Sequence, residues 1–254
     1  MLQALLNGAS GMQAQQKKVD SIAENIANIN TVGYMKTRID FKDAVYSAMI
    51  DPSNPGSAEN LLCGNGVLMG QATKINTRPI YYETDNPLDL SITDSGFFAV
   101  VRDGNIYYTK DGSFKASETD GEIFLVTNGG QNVLDSELQP IRLYGNPSET
   151  VIDAEGYITA EGEQQPYAQI AVFDFANDGA LYSVGGNFYE ETEASGQAEP
   201  ALRPNIKQKS LEGSNVDLAD EMTQLIKAQR AYQMASKVIT TADEMEGLAN
   251  NLRG

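Results

Sequence analysis

Apolar residues recur at seven-residue intervals at both ends of this sequence, and this feature constrains the fold more than any other. The repeating residues are Leu5, Met12, Val19 and Ile26 near the start, and Leu218, Leu225, Tyr232 and Ile239 near the end. A seven-residue apolar repeat places its side chains along one seam of a helix, and such a seam packs against another helix. We therefore predict two terminal helices that pair with each other or with the terminal helices of other copies.

The limits of the two helices follow from turn formers and capping residues. The first helix is predicted over residues 2–30, because the segment from Asn28 to Gly33 is rich in turn formers. The second is predicted to start at the capping pair Ser214-Asn215 and to run to about residue 252. The residues predicted to form the helix seam are Leu5, Met12, Val19, Ile22, Ile26, Leu218, Met222, Leu225, Tyr232, Ile239, Met245 and Leu252.

The length of these helices argues against a role confined to one domain. Amphipathic helices often cover the sheet of their own domain, and the stripe alone leaves that alternative open. At 1.5 Å per residue, helices of roughly 30–40 residues span about 45–60 Å. A β domain of roughly 140 residues is about 30–40 Å wide. Much of each seam would therefore extend past such a sheet, which indicates contacts with other copies.

The middle of the chain, residues 65–205, is predicted to be β throughout. Leu88, Leu90 and Ile92 alternate with polar residues, as in a half-buried strand. Turn-forming dipeptides separate the apolar runs and predict tight hairpins. These dipeptides are Asp103-Gly104, Asp111-Gly112, Asp120-Gly121, Asn128-Gly129 and Asp178-Gly179. The spacing of strands and turns favours an antiparallel sandwich or rolled sheet.

The fold class expected from these patterns is α+β, with a central antiparallel all-β domain and long terminal helices that pack as a coiled coil. The predicted divisions are an N-terminal helix (1–33), a connecting segment (34–75), a β-rich domain (76–205) and a C-terminal helix (214–254). The connecting segment is expected to be partly extended or mobile. Within it, Phe41, Val45 and Met49 stand at helical spacing and allow a second short helix that ends before Pro52.

Composition excludes several classes of function. The 254 residues carry a net charge of −17, which disfavours binding to nucleic acid or to anionic lipid. The sequence has no His, which removes the commonest general base and the commonest metal ligand. Its single cysteine, Cys63, cannot form an internal disulfide or build a zinc site alone. No phosphate-binding loop, nucleophile elbow or calcium loop is present. We predict no catalytic, cofactor-binding or metal site.

The sequence also predicts no direct insertion into a membrane. No stretch reaches the roughly 18 apolar residues of a transmembrane helix. The first basic residue is Lys17, and the apolar residues before it are spaced along a stripe, which is unlike an ordinary signal peptide. Export, if it occurs, is expected to use no cleaved leader.

Segments at both ends and in the middle resemble one known family. Residues 25–34 (NIANINTVGY) are similar to the N-x-A-N-x-x-T-x-G-[FY] signature of the bacterial flagellar rod and hook proteins, and residues 214–222 and 229–232 are similar to its C-terminal signature. Residues 86–90, 96–98 and 108–114 resemble its β domain. The signature residues are Asn25, Ala27, Asn28, Thr31, Gly33, Tyr34, Asn215, Gln229 and Arg230. Met35 and Ala235 depart from the pattern, since Lys or Arg and Asn are usual there.

The resemblance implies a structural role in the extracytoplasmic basal body of the flagellum. The family's subunits are exported through the flagellar type III apparatus without cleavage and stack helically into a hollow rod, with the terminal helices forming the inner tube. The implied partners are other copies of the chain, neighbouring rod and hook proteins, and the export apparatus.

Two other classes of function remain open from the sequence. A secreted β-rich adhesin can carry terminal coiled coils, and its central domain would bind a sugar or a host ligand. An acidic hydrolase would need a catalytic pair of carboxylates, and none of the 35 acidic residues stands out as part of one.

Overall fold

The computed structural model describes residues 2–48, 62–76, 80–119, 121–160, 165–201 and 203–251. The chain divides into two compact units. The helical unit comprises residues 1–27, 37–73 and 217–254, and the β unit comprises residues 28–36 and 74–216. Each unit is built from segments that are distant in sequence.

Two long helices dominate the helical unit, as the heptad repeats predicted. Its elements are α1 (Leu2–Ala27), β1 (Thr37–Asp43), β2 (Ser47–Ala48), β3 (Leu62–Cys63), β4 (Val67–Lys74) and α2 (Leu218–Asn251). β1 pairs with β4, and β2 pairs with β3. α1 and α2 pack against each other.

The helices run antiparallel. The side chain of Asn25, near the end of α1, bonds to that of Glu221, near the start of α2. At the other end of the pair, a Cβ built on Gly8 would lie 2.8 Å from the Cγ1 of Ile239. The residues that face each other therefore have numbers that sum to about 246.

The predicted start of the second helix was wrong by about one turn. α2 begins at Leu218, because the carboxylate of Asp217 accepts hydrogen bonds from the backbone N–H groups of Ala219 (2.8 Å) and Asp220 (3.2 Å). α1 ends at Ala27, where the turn-forming segment from Asn28 starts.

The short helix allowed around Phe41 was also wrong, because this part of the chain is the strand β1. Burial along it alternates, with Thr37, Ile39 and Phe41 partly buried and the residues between them exposed. This period of two is that of a strand with one covered face. Met49 and residues 51–57 of the predicted connecting segment lie outside the described residues.

Short antiparallel strands make up the β unit. They are β5 (Tyr81–Glu83), β6 (Leu90–Ile92), β7 (Phe97–Arg102), β8 (Asn105–Thr109), β9 (Lys115–Thr119), β10 (Glu122–Val126), β11 (Asn132–Val133), β12 (Arg142–Leu143), β13 (Val151–Ile152), β14 (Tyr157–Thr159), β15 (Ala168–Gln169), β16 (Val172–Asp174), β17 (Tyr182–Gly185), β18 (Phe188–Glu190), β19 (Glu199–Pro200), β20 (Ile206–Gln208) and β21 (Ser210–Glu212). Their main sheet has the order β12-β10-β11-β7-β8-β18-β17, and β16 also pairs with β7.

β7 lies at the centre of this unit, with a hydrophobic cluster on each of its faces. Phe98 and Val100 belong to one cluster, and Phe97 and Ala99 belong to the other. Successive side chains of a strand point to opposite faces, so β7 is covered on both sides. The prediction of a β-sheet core between two terminal helices is thereby confirmed.

Two of the five predicted hairpins are present, since Asp103-Gly104 joins β7 to β8 and Asn128-Gly129 lies between the paired strands β10 and β11. Asp120 of the predicted turn Asp120-Gly121 lies outside the described residues. The other two predictions were wrong. Asp178-Gly179 forms a 3-10 turn, and Asp111-Gly112 lies where two backbone segments meet.

β6 also differs from the half-buried strand that was predicted, since Leu90, Ser91 and Ile92 are all buried. The backbone of Gly112 lies along one edge of this strand, where the N–H of Leu90 donates to the carbonyl oxygen of Gly112 (3.0 Å). A Cβ built on Gly112 would lie 1.8 Å from the carbonyl oxygen of Leu90.

We expect Gly112→Ala to lower the free energy of unfolding by about 3 kcal/mol, because the added methyl group forces the two backbones apart. Gly247→Ala is the comparison, since a Cβ there meets nothing within 4 Å. Because Gly247 lies in the helix α2, alanine there should raise the free energy of unfolding by up to about 1 kcal/mol. Urea unfolding of both variants tests this, and equal stability of the two variants would contradict the close approach.

Candidate assembly surface and its polar supports

The structure divides the predicted helix seam into a covered part and an exposed part. On α1, Ile22 is buried, and Leu5, Met12, Val19 and Ile26 are partly buried. On α2, Leu225, Tyr232 and Ile239 are partly buried, whereas Leu218, Met222 and Met245 are 41%, 51% and 56% exposed. Leu252 lies outside the described residues. Part of the predicted seam is therefore open to a partner.

The C-terminal half of α2 carries an exposed apolar stripe that we call the α2 stripe. It consists of Met234, Val238, Met245 and Leu248, each at least half exposed. Their separations of four, seven and three residues place them on one side of the helix. The stripe borders a groove of about 480 Å³ whose remaining lining residues are Ala4, Lys237, Thr241 and Ala242. An exposed apolar surface of this kind is typical of a protein interaction site.

A second apolar surface in the helical unit was missed from the sequence. Val67, Leu68 and Met69 of β4 are exposed and border a groove of about 440 Å³ against α1. Ala14 and Lys17 of α1 also line it. The run of three apolar residues is a sequence pattern that could have indicated this surface, but it falls within the predicted connecting segment 34–75.

Asn25, the first residue of the family signature, joins three elements of the helical unit. Its side chain is 1% exposed. Its Oδ1 accepts a hydrogen bond from the backbone N–H of Thr37 (2.9 Å), and its Nδ2 donates to the carbonyl oxygen of Thr37 (3.0 Å). The same Nδ2 donates to Oε2 of Glu221 (3.3 Å). The amide thus ties the end of α1 to the first residue of β1 and to the first turn of α2.

Asn215 has a similar role in the β unit. Its Oδ1 accepts from the backbone N–H of Lys36 (2.7 Å), and its Nδ2 donates to the carbonyl oxygen of Ile75 (2.6 Å). The N–H of Ile75 in turn donates to the carbonyl oxygen of Lys36 (2.9 Å). Asn215 was predicted to cap α2, and it instead links two backbone segments that are distant in sequence.

The other signature residues have varied surroundings. Thr31 donates from Oγ1 to Oδ1 of Asn28 (3.1 Å) in the turn after α1. Tyr34 is buried, and the ammonium group of Lys74 lies 5.0 Å from its ring centre. Ala27, Gln229 and Arg230 are exposed.

Both departures from the family pattern occupy apolar surroundings. Met35 is 2% exposed and belongs to the hydrophobic cluster around Phe97. Ala235 lies beside α1, with its Cβ 4.0 Å from a Cβ built on Gly11. A side chain without charge suits the first position, and a small side chain suits the second.

Gly33 combines an unusual backbone conformation with a close contact. Its φ is +65°, and its N–H donates to the carbonyl oxygen of Glu212 (2.7 Å). A Cβ here would lie 2.6 Å from the backbone of both Lys110 and Asp111. Only glycine satisfies both requirements.

We expect Gly33→Ala to destabilise the β unit more than Gly104→Ala does. Both residues have positive φ, but a Cβ on Gly104 meets nothing within 4 Å. The left-handed conformation costs an alanine about 1–2 kcal/mol at either site, and the backbone contact adds to this at Gly33. Thermal unfolding of the two variants measures the difference, and equal losses would show that the contact is unimportant.

Two residues whose backbones contact Gly33, Lys110 and Glu212, also form a buried ion pair. The ammonium group of Lys110 is 3.4 Å from Oε1 of Glu212, and both side chains are less than 10% exposed. Lys110 also donates to Oδ1 of Asn76 (2.7 Å) and lies 5.4 Å from the ring centre of Phe97. Burial raises the pKa of Glu212 above its ordinary value of 4.5, although the charge of Lys110 opposes this shift. Since each group satisfies the other, the pair is a structural part of the core.

We expect Lys110→Met to cost about 3 kcal/mol or more at pH 7, because it leaves the buried carboxylate of Glu212 without its cation. The pKa of Glu212 then rises further, and the cost applies above that raised value. As the pH falls toward 4.5 and below, the carboxyl group is protonated in both the folded and the unfolded chain, so the cost disappears.

Urea unfolding at pH 7 and at about pH 4 measures this effect. Lys207→Met is the control, because Lys207 pairs with Glu83 at the surface (2.9 Å) and such pairs contribute little. A loss at Lys110 that does not change with pH would contradict the assigned role of Glu212.

Neither metal-binding nor membrane-spanning features are found in the part of the chain that the structure describes. Within it, no cluster of three or more His, Cys, Asp or Glu side chains is placed to hold a metal ion. Neither described helix is both long enough and apolar enough to cross a membrane.

Three family models match the chain in succession. Residues 5–34 match the model described as "Flagella basal body rod protein", and residues 91–160 match "Flagellar hook protein FlgE/F/G D1 domain". Residues 207–252 match "Flagellar basal body rod FlgEFG protein C-terminal". The matches include the signature asparagines Asn25 and Asn215.

Relatives align with the chain along nearly its whole length. The flagellar basal-body rod protein FlgG of Borreliella burgdorferi is 37% identical over 269 residues, covering 100% of this chain and 99% of the relative. FlgG of Bacillus subtilis is 36% identical, covering 96% of this chain and 97% of the relative. The flagellar hook-basal body complex protein FlhP of the same organism is 30% identical, with full coverage of both chains.

Proposed function

The chain belongs to the family of flagellar basal-body rod proteins, and we propose that it polymerises helically as a subunit of the distal rod. The family is structural, so the chain is not an enzyme. In the proposed role the polymer is a hollow drive shaft that transmits torque from the motor to the hook. The observation that carries this proposal is the similarity to rod proteins along the entire chain.

Identity and length favour the rod over other members of the family. The rod proteins of several bacteria are 34–37% identical to this chain, against 30% for the hook-basal body complex protein FlhP. The length of 254 residues also suits a rod subunit better than the longer hook protein. A role as another hook-basal body paralogue is the second candidate, and the match to FlhP is the observation that supports it.

The helical unit supplies the proposed assembly contacts. We propose that α1 and α2, which lie within the terminal regions 1–33 and 214–254, pack as a coiled coil in the rod. Residues 76–205 form a separate β-rich domain in this proposal. The α2 stripe then contacts the helices of a second copy. In a helical array each copy uses one surface to bind the next copy and another to be bound, so the contacts repeat without closing.

The same proposal extends to partners and location. Neighbouring rod and hook proteins would meet the ends of the polymer, and the flagellar type III export apparatus would deliver the subunits without a cleaved signal peptide. The net charge of −17 supports a subunit that avoids nucleic acid and anionic lipid on this route.

A charge placed on the α2 stripe tests the assembly surface. We expect Val238→Asp and Met245→Asp to abolish polymer formation by the purified chain, because a carboxylate in an apolar contact would have to lose its water. Both side chains are at least half exposed, so the melting temperature of the monomer should remain unchanged.

Gln233→Asp is the matched control, since Gln233 is exposed on α2 and lies five residues, or about 140° around the helix, from Val238. Sedimentation and electron microscopy measure the polymer. Normal polymers from the two stripe variants, or equal loss in the control, would reject the α2 stripe as the assembly surface.

A further inference from the structure

The apolar seams of α1 and α2 do not by themselves determine how the two helices align. Both helices repeat apolar residues every seven positions, so a shift of seven residues again brings apolar residues together along most of the seam. The exception is Glu246, which would take the place of Ile239 beside Gly8 near the start of α1. In the observed pairing, Gly11 lies beside Ala235. After a shift of seven residues along α2, Gly11 would lie beside Ala242, so even the small residues would match.

One direction of shift keeps all of α1 covered. The observed pairing places residues 2–27 of α1 beside about residues 219–244 of α2, because facing residues sum to about 246. If each α1 residue instead faced the α2 residue seven positions further along, α1 would lie beside residues 226–251. α2 remains helical to Asn251, so all of α1 would be covered. The opposite shift would leave the last turns of α1 without a partner, since α2 begins only at Leu218.

The contact between Asn25 and Glu221 distinguishes the observed pairing from the fully covered alternative. Both side chains are 1% exposed, and Asn25 donates to Glu221 across 3.3 Å. In the shifted pairing Asn25 would face Ala228, which has no side-chain acceptor, and Glu221 would lie beyond the end of α1. A buried polar contact that only one alignment can satisfy is a known means of setting the register of paired helices.

We propose that the hydrogen bond between Asn25 and Glu221 sets the register of α1 against α2 and selects it over the pairing shifted by seven residues. Glu221 is a positioning residue in this sense, and it acts through Asn25. Thr37 holds the Asn25 amide from its other side, so the donor is already oriented toward α2. The proposal concerns the single subunit and stands whether or not that subunit enters a rod.

Two disulfide reporters in the full chain distinguish the registers, with Cys63→Ser to remove the native thiol. Gly11→Cys with Ala235→Cys reports the observed register, because the two Cβ atoms would be 4.0 Å apart, within the range that a disulfide bridges. Gly11→Cys with Ala242→Cys reports the shifted register, since Ala242 lies about 10 Å further along α2. Mass spectrometry of the monomeric fraction after mild oxidation measures the intramolecular bridge in each.

With Glu221 intact, the bridge at 235 should form at least tenfold more than the bridge at 242. Glu221→Leu should raise the proportion of the bridge at 242 at least tenfold, whereas Glu221→Gln, which keeps an acceptor for Asn25, should preserve the original ratio. Glu244→Leu is the control for loss of an exposed acid on α2. Circular dichroism confirms that each variant remains helical, and Glu221→Ala replaces the leucine variant if that one does not fold.

An unchanged ratio in Glu221→Leu and Glu221→Ala would overturn the proposal, as would failure of the bridge at 235 to form with Glu221 intact. A shift of equal size in Glu244→Leu would overturn it as well, because overall charge would then explain the effect. None of these outcomes bears on the role in the rod, which depends on the exposed α2 stripe.

Discussion

The helical unit depends on one buried amide. Asn25 holds α1, β1 and α2 together, and its contact with Glu221 joins residues that are 196 positions apart in the sequence. The two ends of the chain must therefore meet before this unit is complete, and neither terminal helix has its native surroundings without the other.

The β unit uses the same chemical arrangement at Asn215. There too a side-chain amide bonds to a backbone N–H and to a backbone carbonyl group, as a neighbouring strand would. Replacement of either asparagine by a residue without both a donor and an acceptor leaves partly buried backbone groups without these hydrogen bonds. Asn25 and Asn215 of the family signature thus have a physical explanation. So does Gly33, because the absence of a side chain lets the backbone of Lys110, which pairs with Glu212, come close to it.

What the sequence predicted well was local and periodic. The heptad repeats gave both helices, and dipeptides such as Asp103-Gly104 gave hairpins, because a few adjacent residues determine those structures. The wrong predictions fall where contacts with segments distant in sequence determine the structure. Asp111-Gly112 has the composition of a hairpin, yet it lies against Leu90, and the strand β1 contains residues at helical spacing.

The candidate site was predicted in part for the same reason. The spacing of Leu225, Tyr232 and Ile239 identified the side of α2 that is partly covered, but it gave no means of telling which apolar columns stay exposed. The partners of Asn25 and Asn215 are fixed only in three dimensions, since Glu221 and Ile75 are more than 100 residues away from them. The resemblance to the family identified Asn25 and Asn215, whereas the structure shows which groups their side chains contact.

The central claim is that this chain is a structural subunit of the distal rod. Electron microscopy of isolated basal bodies, with the chain carrying a small epitope and labelled by gold-conjugated antibody, tests it most directly. We expect label along the rod between the motor and the hook. Label on the hook, label elsewhere on the cell surface, or unlabelled basal bodies in cells that produce the tagged chain would contradict it.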